Sequence, residues 1–86
     1  MFFKKSRIKK YLENGDSYYQ RKNYNQAIEE FTKAIKLNSR LSIAYKNRGL
    51  AYTDRGYDYS IAGDYDRAIA DYNQAVRLNP NDADAF

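Results

Sequence analysis

The chain alternates four stretches of helical periodicity with short polar breaks. Within each stretch, apolar and aromatic residues recur at spacings of three and four, which is the period of one face of an α-helix. The clearest stretch is the second, where Ala27, Ile28, Phe31, Ala34 and Ile35 form a single apolar stripe. No stretch alternates with a period of two over more than a few residues. The pattern therefore predicts an all-α fold of about four helices and no strands.

The polar breaks supply expected caps and ends for these helices. Asn25 is expected to cap the second helix and Asp66 the fourth, because short polar side chains bind free N–H groups of a first turn. Pro80 lies just beyond the fourth helix, where it cannot continue the hydrogen-bond ladder. The expected helices are about Lys5–Gln20, about 25–37, one that begins between residues 39 and 42, and about 66–78.

The chain also repeats itself, with two different offsets. A period of this size indicates a repeat architecture, in which each unit buries its apolar face against its neighbours. At an offset of 34 residues, Tyr11, Gly15 and Tyr18 return as Tyr45, Gly49 and Tyr52. At an offset of 41 residues, Tyr24, Ala27, Ile28, Ala34, Leu37 and Asn38 return as Tyr65, Ala68, Ile69, Ala75, Leu78 and Asn79. The difference predicts an insertion of seven residues within 53–63.

These residues resemble the tetratricopeptide repeat, whose pattern is W-x2-L-G-x2-Y, then A-x3-F, A and P. Tyr stands for Trp in both units, and Asn14 and Arg48 stand where the pattern has Leu. In the first unit, Ser39 replaces the final Pro of the pattern. The resemblance implies an α-solenoid of antiparallel helix pairs that binds other proteins. The predicted division is a basic lead-in at 1–7, a first repeat at 8–41, a second repeat at 42–82, and the start of a third unit at 83–86.

The insertion has two interpretations. Seven residues are nearly two helical turns, so the third helix could continue to about Ala62 without rotating the later residues off their face. Alternatively, an early turn at 55–58 leaves the extra residues in a loop or at the start of the fourth helix. Gly56 in mid-helix opposes the first interpretation by ~1 kcal/mol, but we favour helix extension.

Exposed aromatic residues predict self-association. In either interpretation the apolar residues of the insertion are expected to lack a facing helix of matching length, and the apolar face of the fourth helix is expected to be partly uncovered. Such surfaces tend to find a partner, here a second copy that packs against them or exchanges helices. The alternative is a solvated loop tip. The self-association residues are Tyr57, Tyr59, Ile61, Ile69, Tyr72, Val76 and Phe86.

The resemblance also implies a concave groove that is lined by the first helix of each unit and holds an extended peptide or a helix. The groove residues are Lys9, Leu12, Glu13, Asp16, Tyr19, Gln20, Ile43, Lys46, Asn47, Leu50, Thr53 and Asp54. One subclass clamps the carboxylate of chaperone tails, and Asn47 matches the middle Asn of that clamp. Leu12 and Asp16 stand where its first Lys and Asn belong, and Asp16 would repel a carboxylate. Chaperone-tail binding is therefore not predicted.

Composition changes the picture in one respect. The 86 residues carry a net charge of +4, but five cations stand among the first ten residues, and the rest of the chain is nearly neutral. A basic lead-in on a neutral body is not the pattern of a nucleic-acid-binding face. We expect this lead-in to keep the protein soluble. The less favoured alternative is an adaptor whose lead-in contacts anionic lipid, nucleic acid or an acidic partner. The cations are Lys4, Lys5, Arg7, Lys9 and Lys10.

Candidate chemistry is sparse. The chain has no His and no Cys, so it lacks the commonest general base, a thiolate nucleophile and the usual zinc ligands. Its carboxylates do not follow the ligand ladder of a calcium-binding loop. We therefore predict no enzymatic activity, no metal and no cofactor. No apolar run approaches the ~20 residues of a transmembrane helix, and the start lacks the apolar stretch of a secretory signal, so the expected location is the cytoplasm.

Overall fold

The computed structural model describes the backbone of residues 2–78 and the side chains of residues 4–77. Within this part of the chain the fold is entirely helical and contains no strand, which confirms the predicted fold class. The four helices are α1 (Phe2–Gln20), α2 (Tyr24–Leu37), α3 (Ser42–Ile61) and α4 (Tyr65–Leu78).

The helices pack as two antiparallel pairs, α1 with α2 and α3 with α4, and the pairs are joined through α2 and α3. Two small clusters of buried residues form the core: Ala27, Phe31 and Ala51 in one, Ala34, Ile35 and Ala44 in the other. Both clusters consist of the α2 stripe and of alanines on α3, because small side chains let two helices approach closely. The apolar stripe predicted for the second helix is thus the centre of the core.

The two turns within the pairs have the same geometry. The N–H of Asn23 donates to the carbonyl of Tyr18 over 2.8 Å, and the N–H of Asp64 donates to the carbonyl of Tyr59 over the same distance. Each turn needs one residue with positive φ. That residue is Lys22 (φ 63°) in the first turn and Gly63 (φ 85°) in the second.

Lys22→Gly is expected to raise the free energy of unfolding by ~1 kcal/mol, because a side chain at positive φ is strained and glycine is not. The matched change Gly63→Ala introduces the same strain in the other turn, where no atom lies within 4 Å of the added methyl group, and should lower stability by a similar amount. Urea unfolding followed by circular dichroism measures both. Equal midpoints for the wild type and Lys22→Gly would contradict the prediction.

The predicted helix caps are wrong by two residues. Asn23, not Asn25, is the N-cap residue of α2. The carboxylate of Asp64, not that of Asp66, accepts the N–H of Arg67 at the start of α4, over 3.3 Å. The reason is the tight turn within each pair. It closes so early that α2 begins before Asn25 and α4 begins before Asp66.

α3 is one continuous helix through the segment of the predicted insertion, and Ala62 is its C-cap residue. This agrees with the interpretation in which the third helix is extended. The helix α3 has 20 residues and α1 has 19, while α2 and α4 have 14 each. The position of the insertion in the sequence stays a prediction.

Packing within the pairs repeats at the 41-residue offset. A methyl group on Gly15 would lie 2.5 Å from Cε1 of Phe31, and one on Gly56 would lie 3.0 Å from Cε1 of Tyr72. Gly49, which matches Gly15 at the 34-residue offset, has only a backbone carbonyl oxygen within reach, at 3.7 Å. Gly56 is therefore the residue of α3 that meets α4 as Gly15 meets α2.

Contacts between the pairs follow a shorter offset. The Asn47 amide donates to Asp16 over 3.2 Å, and the Tyr19 hydroxyl donates to Asp54 over 2.5 Å; these partners are 31 and 35 residues apart. The second pair is consequently displaced along the helix axis by about seven residues, or about 10 Å, relative to the first. This displacement, which we call the step, carries the last turns of α3 past the end of α1 and beside the α1–α2 turn, where Asp58 and Tyr59 line a pocket with residues 21–25.

Candidate functional site

The predicted groove residues lie on one side of α1 and α3, and we call this surface the α1–α3 face. Leu12, Tyr19, Asn47 and Asp54 are half-buried, and the hydrogen bonds between α1 and α3 belong to this set. The remaining eight predicted residues are exposed to solvent. Those eight are Lys9, Glu13, Asp16, Gln20, Ile43, Lys46, Leu50 and Thr53.

The polar groups between α1 and α3 are bonded to one another. The hydrogen bond that Tyr19 donates to Asp54, together with partial burial, raises the pKa of Tyr19 to about 12. A phenol with this pKa stays protonated, and so remains a donor, throughout the neutral range. Asn47 is held by Asp16 in the same way, and Thr53 donates to the carbonyl of Gly49 over 2.9 Å. These side chains are thereby engaged within the protein.

An apolar stripe runs along the solvent side of α3. Ile43, Leu50 and Tyr57 are spaced by seven residues and are 47%, 44% and 60% exposed, respectively. Since seven residues are nearly two full turns, the three side chains line one side of the helix. We call them the α3 stripe. The sequence analysis assigned Ile43 and Leu50 to the groove and Tyr57 to the self-association residues. Their spacing of seven residues was the signal that could have placed all three on one side of the helix.

Charges on the α1–α3 face follow the same order within each helix but are mixed between the helices. In α1 and in α3 the lysines precede the carboxylates along the chain, yet the hydrogen bond from Asn47 to Asp16 places Lys46 of α3 beside the carboxylates of α1. α1 has no acidic residue in its first turn, where Lys5 lies close to the positive end of the helix dipole. The cations are Lys5, Lys9 and Lys46, and the carboxylates are Glu13, Asp16, Asp54 and Asp58.

The predicted self-association residues do not form one surface. Tyr57 and Ile61 are exposed on α3, Ile69 and Val76 are exposed on α4, and Tyr72 lies against Gly56. Phe86 lies outside the described residues. They fall into two groups, one on the projecting end of α3 and one on the outer face of α4.

The expectation that the insertion lacks a facing helix is wrong for Tyr59. This side chain is half-buried, and the guanidinium groups of Arg55 and Arg67 lie 5.8 and 5.7 Å from its ring centre. Because α4 begins immediately after a tight turn, it runs back along the end of α3 and supplies Arg67. Tyr59 is therefore part of the packing between α3 and α4.

Sequence reasoning missed the cluster around Arg55. Its guanidinium binds the carboxylate of Asp71 through two hydrogen bonds, of 2.9 and 2.7 Å, and it donates to Asn25 over 2.7 Å. The bond to Asp71 raises the pKa of Arg55 above its ordinary value. Asn14 and Glu30 occupy the equivalent positions of the first pair and are also bonded, over 3.2 Å. The 41-residue offset was the signal that could have revealed this pairing.

Other chemistry is not visible in the described part of the chain. Residues 4–77 bring no three His, Cys, Asp or Glu side chains together in a group that could hold a metal ion. Within residues 2–78, none of the helices combines the length and apolarity needed to cross a membrane.

These features define an α-helical repeat protein, built from antiparallel helix pairs that offer an exposed face for contact with other molecules. The family model described as tetratricopeptide repeat matches residues 6–81, so the chain belongs to the tetratricopeptide repeat family. No curated protein matches the chain in sequence. Membership confirms the resemblance seen in the sequence and indicates that the partners of the chain are proteins.

Proposed function

We propose that this protein is a non-enzymatic scaffold that binds a peptide or a helix of a partner protein on the α1–α3 face. The α3 stripe is the observation that carries the proposal, because it places three large apolar side chains at the solvent surface of a well-packed helix. The family supports a protein as the partner. Asn47, the residue that matches the carboxylate clamp, donates a hydrogen bond to Asp16. This contact supports a face without a clamp for a terminal carboxylate.

A selection from random displayed peptides tests this proposal. Leu50→Glu is expected to abolish binding of the selected peptides, because it places a charge in the middle of the α3 stripe. Val76→Glu is the matched control, since Val76 is also an exposed apolar residue but lies on the outer face of α4. Binders that ignore Leu50→Glu, or the absence of any binder, would contradict binding on the α1–α3 face.

Self-association is a second candidate, and the outer face of α4 favours it. Val76 is 71% exposed, whereas Ile35, its equivalent on α2, is 9% exposed because α3 covers it. An apolar face of this kind is covered by a neighbouring helix in a repeat array. We propose that a second copy covers it, with help from Tyr57 and Ile61 at the end of α3.

Light scattering on a sizing column over a wide concentration range tests self-association. The wild type should gain mass with concentration, and Val76→Glu should stay monomeric at every concentration. A monomeric wild type would remove this candidate and leave the α1–α3 face as the functional surface. The repeat boundaries, the insertion and a cytoplasmic location remain predictions from the sequence.

A further inference from the structure

The α3–α4 hairpin has two sets of residues that can position its turn. In the first pair, the turn residue Lys22 follows the closely packed Gly15 by seven positions. In the second pair, Gly63 follows Gly56 by the same number, and Gly56 in turn follows Gly49 by seven. A turn at Gly56 would therefore again have glycine where positive φ is needed, with α4 packed on Gly49. This arrangement, which we call the second register, keeps the same sides of both helices in contact, because seven residues are nearly two turns.

Arg48 lacks a hydrogen bond that the second register would supply. It is half-buried, its Nη1 donates to Thr32 over 2.9 Å, and its Nε has no partner in the described part of the chain. Arg55, seven residues later, uses its Nε to bind Asp71, which follows it by 16 residues. The residue that follows Arg48 by 16 is Asp64. In the second register this carboxylate would pair with Arg48 as Asp71 pairs with Arg55.

α4 also offers an aromatic ring for each register. Tyr72 packs on Gly56, where a methyl group would lie 3.0 Å from Cε1 of the ring. Tyr65 precedes Tyr72 by the same seven residues that separate Gly49 from Gly56, and it is 64% exposed in the observed register. Each of the two glycines can therefore receive a ring of α4, one in each register.

Three residues make the second register the less stable one. Tyr57 would stand where the carboxylate of Asp64 now accepts an N–H at the start of α4. Ile61 would stand where Ala68 is buried, and Gly63 would lie within α4, where glycine is unfavourable. In the observed register the first two side chains are 60% and 69% exposed, and no atom lies within 4 Å of a methyl group on the glycine. These costs make the second register a minor state, of the order of roughly 0.1–10%.

We infer that the α3–α4 hairpin exchanges between the observed register and a minor second register, in which α3 ends near residue 55 and α4 begins near residue 58. Tyr57 and the projecting end of α3 belong to α3 only in the observed register. A partner that contacts this end favours the observed register, so the hairpin can switch that surface on and off. The two registers do not depend on whether the α1–α3 face binds a peptide.

The distance between residues 42 and 70 distinguishes the registers. Because Gly56 faces Tyr72, residue 70 lies opposite residue 58 of α3 in the observed register and opposite residue 44 in the second. The axial separation of residues 42 and 70 is therefore about 24 Å in the observed register and about 3 Å in the second.

Spin labels on two cysteines measure this distance by electron paramagnetic resonance. The chain has no native Cys, and Ser42 and Ala70 are both exposed, so Ser42→Cys with Ala70→Cys provides the label pair. Ser42→Cys with Gln26→Cys joins α2 to α3 and is the control pair, whose distance should be the same in both registers. A frayed or unfolded α4 would broaden the first distance without producing the short one.

Tyr57→Asp, Ile61→Ala and Gly63→Ala, combined in one variant, remove the three obstacles at exposed positions. The ratio of the second register to the observed one should rise about a hundredfold or more, and the short distance should become the main one. Adding Gly49→Ala places a methyl group where the ring of Tyr65 must lie and should restore the long distance. A combined variant without the short distance, or one that keeps it after Gly49→Ala, would overturn the second register.

Saturation-transfer NMR measures the minor state in the wild type. Amide signals of residues 57–63 should exchange with a minor state, and Gly49→Ala should abolish this exchange, because in the observed register its methyl group makes only an ordinary contact, at 3.7 Å. Gly63→Ala should raise the ratio of the minor state by about tenfold or more. Absence of exchange in the wild type, or exchange that persists in Gly49→Ala, would overturn the inference.

Discussion

Replacing Gly15 by Ala is expected to lower the free energy of unfolding by about 2 kcal/mol, even though alanine favours helix. The added methyl group would lie 2.5 Å from Cε1 of Phe31, and two further atoms of the same ring would lie within 2.8 Å. Phe31 is fully buried, so its ring cannot yield without displacing α1 from α2. Overpacking typically costs about 1–3 kcal/mol, and an approach of 2.5 Å to a buried ring belongs at the upper end of that range. About 2 kcal/mol remains after the ~1 kcal/mol that alanine contributes through helix propensity is subtracted.

Gly49→Ala is the matched control and should change stability in the opposite direction. Its methyl group would have one neighbour, the carbonyl oxygen of Ala75 at 3.7 Å, which is an ordinary contact. The propensity gain then remains, and the free energy of unfolding should rise by up to ~1 kcal/mol. Urea unfolding of both variants, followed by circular dichroism, gives the two values. Destabilisation of similar size in both would show that Gly49, like Gly15, is a point of close helix contact.

The sequence predicted the fold class because the physics is local. The α2 stripe has a strong helical period, and that period is enough to predict that Ala27, Phe31, Ala34 and Ile35 share the side of the helix that is buried. Helix ends were predicted less well. The cap residues depend on where the turn between two helices closes. The first turn needs a positive φ at Lys22, and a lysine does not signal that conformation as a glycine would.

The register between helices could not be chosen from the sequence, because α3 contains the same motif twice. Tyr45, Gly49 and Tyr52 match Tyr-x3-Gly-x2-Tyr, and Tyr52, Gly56 and Tyr59 match it again seven residues later. Sequence comparison selected the first copy, at an offset of 34. Packing of α4 uses the second copy, because the tight turn after Ile61 brings Tyr72 onto Gly56.

The step results from this choice of register. α3 is bonded to α1 at sequence separations of 31 and 35 residues, whereas the packing of α4 on α3 repeats that of α2 on α1 at an offset of 41 residues. The second pair therefore cannot lie level with the first. Arg55 shows the consequence: it reaches Asn25 at the start of α2 while its guanidinium binds Asp71 on α4. Helical spacing was enough to predict which residues of α1 and of α3 share one side of their helix; that this side binds a partner stays a prediction. The bonds that engage the polar side chains of this face depend on the step and could not be predicted.

Replacing Asp71 by Ala is expected to lower the free energy of unfolding by about 2–3 kcal/mol. Asp71 is 5% exposed and holds the Arg55 guanidinium through two hydrogen bonds. Its removal leaves a partly buried cation without its carboxylate. We place the effect below the roughly 3–5 kcal/mol of a fully buried pair, because the Arg55 side chain is 26% exposed and water can partly solvate it.

A double-mutant cycle distinguishes loss of the ion pair from loss of packing. The cycle consists of Arg55→Met, Asp71→Leu and the variant that carries both changes. The double variant should be more stable than Asp71→Ala, because no charge is left without a partner. Lys33→Ala removes an ion pair with an exposed lysine and should have a smaller effect than Asp71→Ala. Thermal unfolding of all variants at two salt concentrations completes the measurement. A double variant as unstable as the sum of its single changes would show that Arg55 and Asp71 act independently, and that packing rather than their pairing holds α4 in its register on α3.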